Sequence, residues 1–511
     1  MLSKVISASV LGIEAFKVEV ETDISPGLPS YFLVGLPDNA VRESRERVSS
    51  ALANLGFHFP LKRVTINLAP ADRKKEGAAF DLPIAIALLS ASGQIEGARL
   101  EEFMVLGELS LDGTLKPIQG ALPVAASLAK LGLRGIVLPR ANATEAAVVS
   151  GVQVIGVDTL AEAAGFISGE KDIQPTTVDA ARLFDTSSSY GVDFSEVKGQ
   201  EHAKRALEVA AAGGHNLILI GPPGSGKTML ARRLVTILPD LTLEEAIETT
   251  RIHSVAGLTG EKRSLVSTRP FRSPHHTISD AGLIGGGRIP KPGEVSLAHN
   301  GVLFLDEMPE FQKSVLEVMR QPIEDGEVSI SRSLISISYP ARFMLACAMN
   351  PCPCGYLTDP VHACKCTPNQ IKRYTSSISG PLLDRIDIHV EVPAVPYERL
   401  AEKRDGEPSQ AIRQRVEASR KIQLERFAEV EGVYCNAHMG RKLLKKYCSL
   451  GQESESLLRQ AMAHYGLSAR AHDRILKMAR TIADLAGSSD IAPEHLAEAI
   501  QYRSLDRTAM R

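Results

Sequence analysis

The sequence predicts an α/β fold, and three observations carry that reading. Gly221-Pro-Pro-Gly-Ser-Gly-Lys-Thr stands between an apolar run, Asn216–Ile220, and a helical pattern that begins at Met229. A second apolar run, Gly301-Val-Leu-Phe-Leu, ends in Asp306-Glu307. Both runs are continuous rather than alternating, as in parallel strands buried on both faces and joined by helical crossovers. Finally, strand-like segments alternate with Ala/Leu-rich helical stretches until about Pro396, after which the pattern is almost wholly helical.

In chain order, residues 1–169 read as one α/β domain. Its strands include Arg63-Val-Thr-Ile-Asn-Leu and Gly135-Ile-Val-Leu, and its helices Leu82–Ser92 and Leu122–Leu131. Met1–Ile13 is apolar, but Glu14 interrupts it and no small-residue cleavage site follows, so it reads as a strand and not a signal peptide. Residues 170–191, with Ser187-Ser-Ser, form a polar linker, residues 192–395 a second α/β block, and residues 396–511 a helical domain. The last has an apolar stripe at Leu467, Ala471, Ile475, Met478 and Ile482.

Three domains suit 511 residues at about 150 residues each. No apolar run reaches the roughly 18 residues that suggest a membrane span, and the expected location is the cytoplasm. With 58 basic against 60 acidic residues, any contact with nucleic acid must come from local patches.

Gly221, Pro222, Pro223, Gly224, Ser225, Gly226, Lys227 and Thr228 match the phosphate-loop pattern in full, and Met229 opens the helix behind it. In such a loop backbone N–H groups surround the β-phosphate of ATP, Lys227 reaches the β- and γ-phosphates, and the Thr228 hydroxyl ligates Mg²⁺. Asp306 would hold the same ion, and Glu307 would orient or deprotonate the attacking water. A third strand, Phe343–Met349, ends at Asn350, which either senses the γ-phosphate or is a turn residue before Pro351. Arg385 stands at the mouth of the alternating strand Ile386–Val392, as an arginine finger or as a partner of Asp384 or Asp387. Ser468 can cap a helix whose first turn carries Arg470, a second phosphate-sensing arginine, with Arg474 one turn later as its alternative.

Of seven cysteines, Cys352, Cys354, Cys364 and Cys366 fall within fifteen positions. They can supply four thiolates to a structural zinc, with His362 as a substitute ligand; reduced thiols or a redox switch are the alternatives. Cys347, Cys435 and Cys448 read as scattered thiols.

Together these motifs resemble the magnesium-chelatase-like AAA+ ATPases of the YifB/ComM family over nearly the whole chain. The resemblance rests on Gly221–Thr228, Val302–Glu307, Phe271-Arg-Ser-Pro-His-His-Thr, Ala348-Met-Asn-Pro-Cys-Pro-Cys-Gly, Leu382–Asp387 and Ser468-Ala-Arg-Ala. It implies an AAA+ P-loop core, a C-terminal helical lid, a homo-hexamer, and a motor for DNA branch migration, with recombination or DNA-uptake proteins as partners. An insertion at Arg269–Gly293 and a β-hairpin at Glu327–Tyr339 would point into the ring pore. There Arg272, His275, His276, Arg288, Lys291 and Arg332 would track a phosphate backbone, or simply decorate exposed loops. Relatives also include chelatase motors and MoxR-like chaperones, so remodelling of a protein partner is the competing expectation.

The run Lys74–Ala85, with Gly107–Gly113 and Ile136–Pro139, is similar to the proteolytic domain of Lon. By that match Ala79 stands where the nucleophilic serine belongs and Leu122 where the lysine base belongs, which implies an inactive scaffold. Ser110 and Ser127 have no base assigned beside them.

Overall fold

The computed structural model describes residues 1–179, 190–259, 264–287, 290–332, 335–359, 362–396 and 406–503. Ser187–Ser189 of the expected linker and Arg288 lie outside these residues, as does the side chain of Arg332.

The first part of the chain builds a seven-stranded sheet in the order Ser30–Val34, Arg63–Ala69, Glu14–Ser25, Leu2–Leu11, Phe103–Val105, Gly135–Pro139, Gln153–Val157. The long opening hairpin pairs Leu2–Leu11 with Glu14–Ser25 antiparallel, whereas the last three strands run parallel to Leu2–Leu11. The helix Asp81–Ala91 is apolar all round because it is buried all round.

The second sheet is wholly parallel, in the order Phe271–Arg272, Val302–Leu305, Met344–Met349, Leu217–Ile220, Ile388–Glu391. The interior strand Leu217–Ile220 explains the unbroken hydrophobic runs. Leu217 and Leu219 face a core shared with the helices Glu201–Gly213 and Lys227–Ile237, while Ile218 and Ile220 face Val295, Met308 and Val315 on the other side. Alternation disappears when both faces are dry.

Two boundaries differ from the sequence reading. The helix behind the phosphate loop starts at Lys227, because Gly226 takes the cap position with φ 89°, a conformation that costs glycine little. The last strand starts at Ile388, not Ile386, because the N–H groups of Arg385 and Ile386 turn back onto Leu382 and Leu383.

Glu327–Arg332 and Ile335–Pro340 form the expected hairpin, with Val328, Ile330, Ile337 and Tyr339 buried on one face. Within 269–293, Phe271–Arg272 joins the edge of the main sheet, a short helix spans Asp280–Ile284, and Gly285–Gly286 pairs with Lys291–Pro292.

The helices Ser409–Arg426 and Ala469–Leu485 pack on Glu201–Gly213. The Ser468 hydroxyl accepts the Ala471 N–H at 3.2 Å, and Ala471, Ile475, Met478 and Ile482 are buried as a stripe. Between the two sheets lies a small apolar contact of Leu122, Val148, Leu241, Ala246 and Leu265. Beside it the buried Glu145 carboxylate accepts the Leu122 N–H and the Thr259 hydroxyl at 3.2 and 3.0 Å.

Candidate nucleotide site and cysteine cluster

The loop 221–226 leaves the carboxyl end of the strand Leu217–Ile220, where parallel α/β sheets open a crevice for ligands. Gly221 must be glycine here: a Cβ would lie 2.0 Å from the Val392 carbonyl oxygen. Four residues expected to act on phosphate and metal, Lys227, Thr228, Asp306 and Asn350, meet at this crevice. Lys227 Nζ donates to the carbonyls of Gly221 and Pro222, each at 2.8 Å, and to Asn350 Oδ1 at 3.2 Å. Burial lowers the pKa of that ammonium, against the pull of Asp306 and Glu307. The Thr228 hydroxyl donates to Asp306 Oδ2 at 2.6 Å, and the Glu307 N–H to Asp306 Oδ1 at 3.0 Å. Strand adjacency makes this constellation, since Leu217–Ile220 and Val302–Leu305 both flank Met344–Met349.

The donor set fits a nucleoside triphosphate with Mg²⁺. Ser225 Oγ is buried in the loop without a hydrogen-bond partner, Lys227 is held only by neutral oxygens, and the Thr228 and Asp306 oxygens converge as two ligands of one small cation would. Pro222, Pro223 and Gly224 complete the turn, and Met229 lies in the first turn of the helix. Gln200, which the sequence reading missed, adopts φ 59° and donates from Nε2 to the Pro393 carbonyl at 2.5 Å, with a longer contact to the Ser225 carbonyl at 3.4 Å. No local signal marks it, because it stands at the start of the helix Glu201–Gly213, 25 residues before the loop carbonyl it touches.

The arginines make other contacts. Arg385 is buried, donates to the Pro381 carbonyl at 2.6 Å, and pairs with Glu324 at 2.5 Å, not with Asp384 or Asp387. It lines a cleft of about 700 Å³ with Asp280, Glu317 and Glu324. Arg470 is exposed, 4.0 Å from Asp384. Arg474 instead pairs with the buried Asp387, whose other oxygen lies 3.2 Å from His215 Nδ1, so it is occupied as a structural ion pair. None of the contacts these three arginines make reaches the phosphate loop.

Two expected backbone-tracking residues are engaged within the chain. Arg272 grips Glu294 with two bonds of 2.6 Å, because it projects from the edge strand toward the helix Glu294–Leu297. His276 turns toward Glu307, with Nδ1 3.6 Å from Oε2. Lys291 remains exposed.

The four clustered cysteines do come together. The sulfurs of Cys352, Cys354 and Cys364 lie 3.4–3.7 Å apart, and all four sulfurs fall within 4.8 Å of one another. A tetrahedral zinc with bonds of about 2.3 Å needs sulfurs about 3.8 Å apart, so the residues fit that ion. The N–H groups of Cys354 and Cys366 point at sulfurs of Cys366 and Cys364, and backbone N–H groups of Tyr356 and Lys365 lower the Cys354 pKa toward the thiolate. His362 is outside the group and pairs with Asp359. The loop leans on the nucleotide site: a Cβ on Gly355 would come within 2.4 Å of Pro223 Cδ. Cys347, Cys435 and Cys448 are buried separately.

A phosphate loop, an Asp-Glu strand end and a buried strand leading to Asn350 on one parallel sheet define a P-loop ATPase core of the AAA+ type. Comparison with known proteins narrows this. Residues 193–400 match the family described as magnesium chelatase, subunit ChlI, residues 406–503 its C-terminal part, and residues 20–142 the subunit ChlI of Mg-chelatase. The chain is 44% identical over 510 residues to the competence protein ComM of Haemophilus influenzae and 45% identical over 508 to YifB of Escherichia coli, covering 99% of this chain and 98% of each relative. It is 27% identical over 177 residues to the 38 kDa magnesium-chelatase subunit of Rhodobacter capsulatus, over 31% of this chain and 50% of that one. The chain therefore belongs to the YifB/ComM family of magnesium-chelatase-like proteins.

Proposed function

We propose that this protein is an ATP-hydrolysing motor that acts on DNA as a homo-hexamer in the cytoplasm, as a branch-migration helicase in transformation or recombination. The observation that carries the ATPase half is the convergence of Lys227, Thr228, Asp306 and Asn350 at the carboxyl ends of three adjacent parallel strands. Lys227 and the loop N–H groups bind the triphosphate, and Thr228 and Asp306 would hold Mg²⁺, which when bound would supply neutralisation of the phosphate charge. Glu307 orients the water that attacks the γ-phosphorus; the bond to the β–γ bridging oxygen breaks, and ADP and phosphate leave.

DNA as the substrate is supported by the near full-length identity to a competence protein. Arg385 and Arg470, whose partners are Glu324 and Asp384, act on the nucleotide of a neighbouring subunit. Residues 192–395 are the AAA+ core and residues 396–511 its helical lid. The N-terminal 169 residues are a Lon-like scaffold without protease activity, joined to the core by residues 170–191. The aliphatic Leu122 and the absence of any hydrogen-bond partner for the buried Ser110 hydroxyl support that reading. Cys352, Cys354, Cys364 and Cys366 hold a structural zinc that braces Pro223. The likeness to a magnesium-chelatase subunit favours one competitor, remodelling of a protein partner.

The test is ATP-driven movement of a labelled three-strand DNA branch by the purified protein. Movement that vanishes in Glu307→Gln is expected. Brisk ATPase activity without movement turns the assignment to a protein substrate.

A further inference from the structure

A second crevice opens at the other end of the parallel sheet from the phosphate loop. It measures about 790 Å³, within the size range of cavities that hold small molecules. Gly301 and Met344 line it at the amino ends of the strands Val302–Leu305 and Met344–Met349, and Arg420 and Leu424 line it from the helix Ser409–Arg426. The parallel-sheet core and the C-terminal helices therefore meet across it.

Four arginines and four carboxylates line this cavity, but they do not pair off. Arg269 is engaged, with Glu245 at 3.2 Å and with the carbonyls of Pro239, Asp240 and Asn300. Asp240 is taken by Arg413 at 2.9 Å, and Glu248 lies 3.1 Å from His299. Only the exposed Glu244 is left over among these carboxylates. Against it stand three guanidinium groups without a carboxylate partner among the described residues. Arg420 gives one bond, to the Ala211 carbonyl at 2.8 Å, and its buried Nε has no acceptor. Arg251 makes no side-chain hydrogen bond or ion pair among the described residues, and its Nε is buried and unmatched in the same way. Arg342 is exposed, its guanidinium 5.6 Å over the Tyr434 ring.

One further anion stands on this wall. Burial pushes the Cys435 thiol up, but His438 and Arg420 outweigh it and hold the group down at about 5. Three guanidinium groups still outnumber that thiolate and Glu244. Arginine cannot shed its charge, and its planar fork matches a phosphate with paired N–H bonds. Beside the guanidinium groups, Phe343, Leu424 and Tyr434 supply apolar surface of the kind a planar ring packs against.

We propose that this cavity is a binding site for a phosphate-bearing small molecule of nucleotide size, separate from the phosphate loop, with Arg251, Arg342 and Arg420 as its phosphate ligands. A free phosphate ester suits it better than a nucleic-acid backbone, because Arg251 and Arg420 are half-buried and Arg342 alone is exposed. Since Arg251 and Arg342 belong to the core and Arg420 to the C-terminal helices, the ligand joins the two. The inference does not rest on the ATPase reading, and failure of that reading leaves it standing.

The experiment is calorimetric titration of the full chain carrying Lys227→Ala, which disables the phosphate loop, with ADP and with pyrophosphate, beside thermal melts with and without each probe. The expected result is one remaining site per chain for at least one probe, with the melting temperature raised by that probe. Adding Arg251→Gln and Arg342→Gln together weakens this binding by about tenfold or more, whereas Arg251→Lys with Arg342→Lys keeps most of it. With Lys227 intact, the same pair of glutamines leaves tight ATP binding unchanged. No binding of either probe in Lys227→Ala overturns the proposal, as does binding that the glutamine pair leaves at full strength. Binding of a single-stranded oligonucleotide but of neither probe also overturns it, in favour of nucleic acid. If the glutamine and lysine pairs melt lower without any probe and bind equally poorly, the arginines serve the fold and the proposal falls.

Discussion

Lys227 is the residue on which most of the nucleotide chemistry converges, and its surroundings set what a substitution does. Its ammonium is buried among neutral carbonyl oxygens of its own loop and one amide oxygen of Asn350, so in the free protein the charge is solvated by groups that phosphate oxygens would replace. Lys227→Ala should therefore lose tight nucleotide binding, while Glu307→Gln should bind ATP with near wild-type affinity and hydrolyse it slowly. Fluorescent-nucleotide titration and phosphate release read the two separately, and equal nucleotide affinity in wild type and Lys227→Ala sinks the phosphate-loop assignment. Lys227, Thr228, Asp306 and Glu307 were all legible in the sequence, because phosphate and Mg²⁺ constrain residue type at fixed spacing. Gln200 and the His276 contact were not, because each depends on a segment that arrives from elsewhere in the chain.

At the scale of an element, the loop 352–366 is the clearest case of local structure with a missing cause. Among its described residues Cys352 is the one buried apolar side chain, yet four sulfurs converge and Gly355 is pressed against Pro223. The metal coordination proposed above would account for a loop that its own packing does not fold. The purified protein should contain about one zinc per chain. Cys364→Ser should lose most of it, lower the melting temperature and weaken ATP turnover through the contact at Pro223. Elemental analysis beside a thermal melt checks this, and a full complement of metal in Cys364→Ser refutes the ligand set. Spacing alone brought out the four cysteines with His362 as a substitute ligand; in the fold that side chain turns to Asp359.

For the whole molecule the arginines pose the main question. Arg385 and Arg470 pair with Glu324 and Asp384, and neither of these contacts involves the phosphate loop. If they complete a neighbour's site, the oligomer is the catalytic unit. Arg385→Ala should bind ATP nearly normally and turn over at least about tenfold more slowly. Mixed with Lys227→Ala it should regain activity, since some interfaces then combine an intact loop with an intact arginine. Mixtures no more active than the sum of their parts exclude that sharing. The contact of Leu122 and Val148 with Leu241 and Ala246, closed by Glu145, holds the N-terminal sheet to the P-loop core. Its partners are more than ninety residues apart, and nothing in either segment announces the other.

What the sequence determined by itself was everything that chemistry forces on residue type and spacing: the phosphate loop, the acidic strand end, the cysteine group, the apolar periods of the sheets and the capped helix at Ser468. Those features obey local rules, since a strand buried on both faces, a helix cap or a phosphate-binding turn each restricts residues within a few positions. Tertiary structure alone decided which polar groups are free and which are spoken for. It assigned Arg272 to Glu294, Arg474 to Asp387, Arg385 to Glu324 and His276 to Glu307. The reason is physical: a charged side chain takes the partner that packing brings within reach, and that distance is set by strand order, which no local pattern encodes.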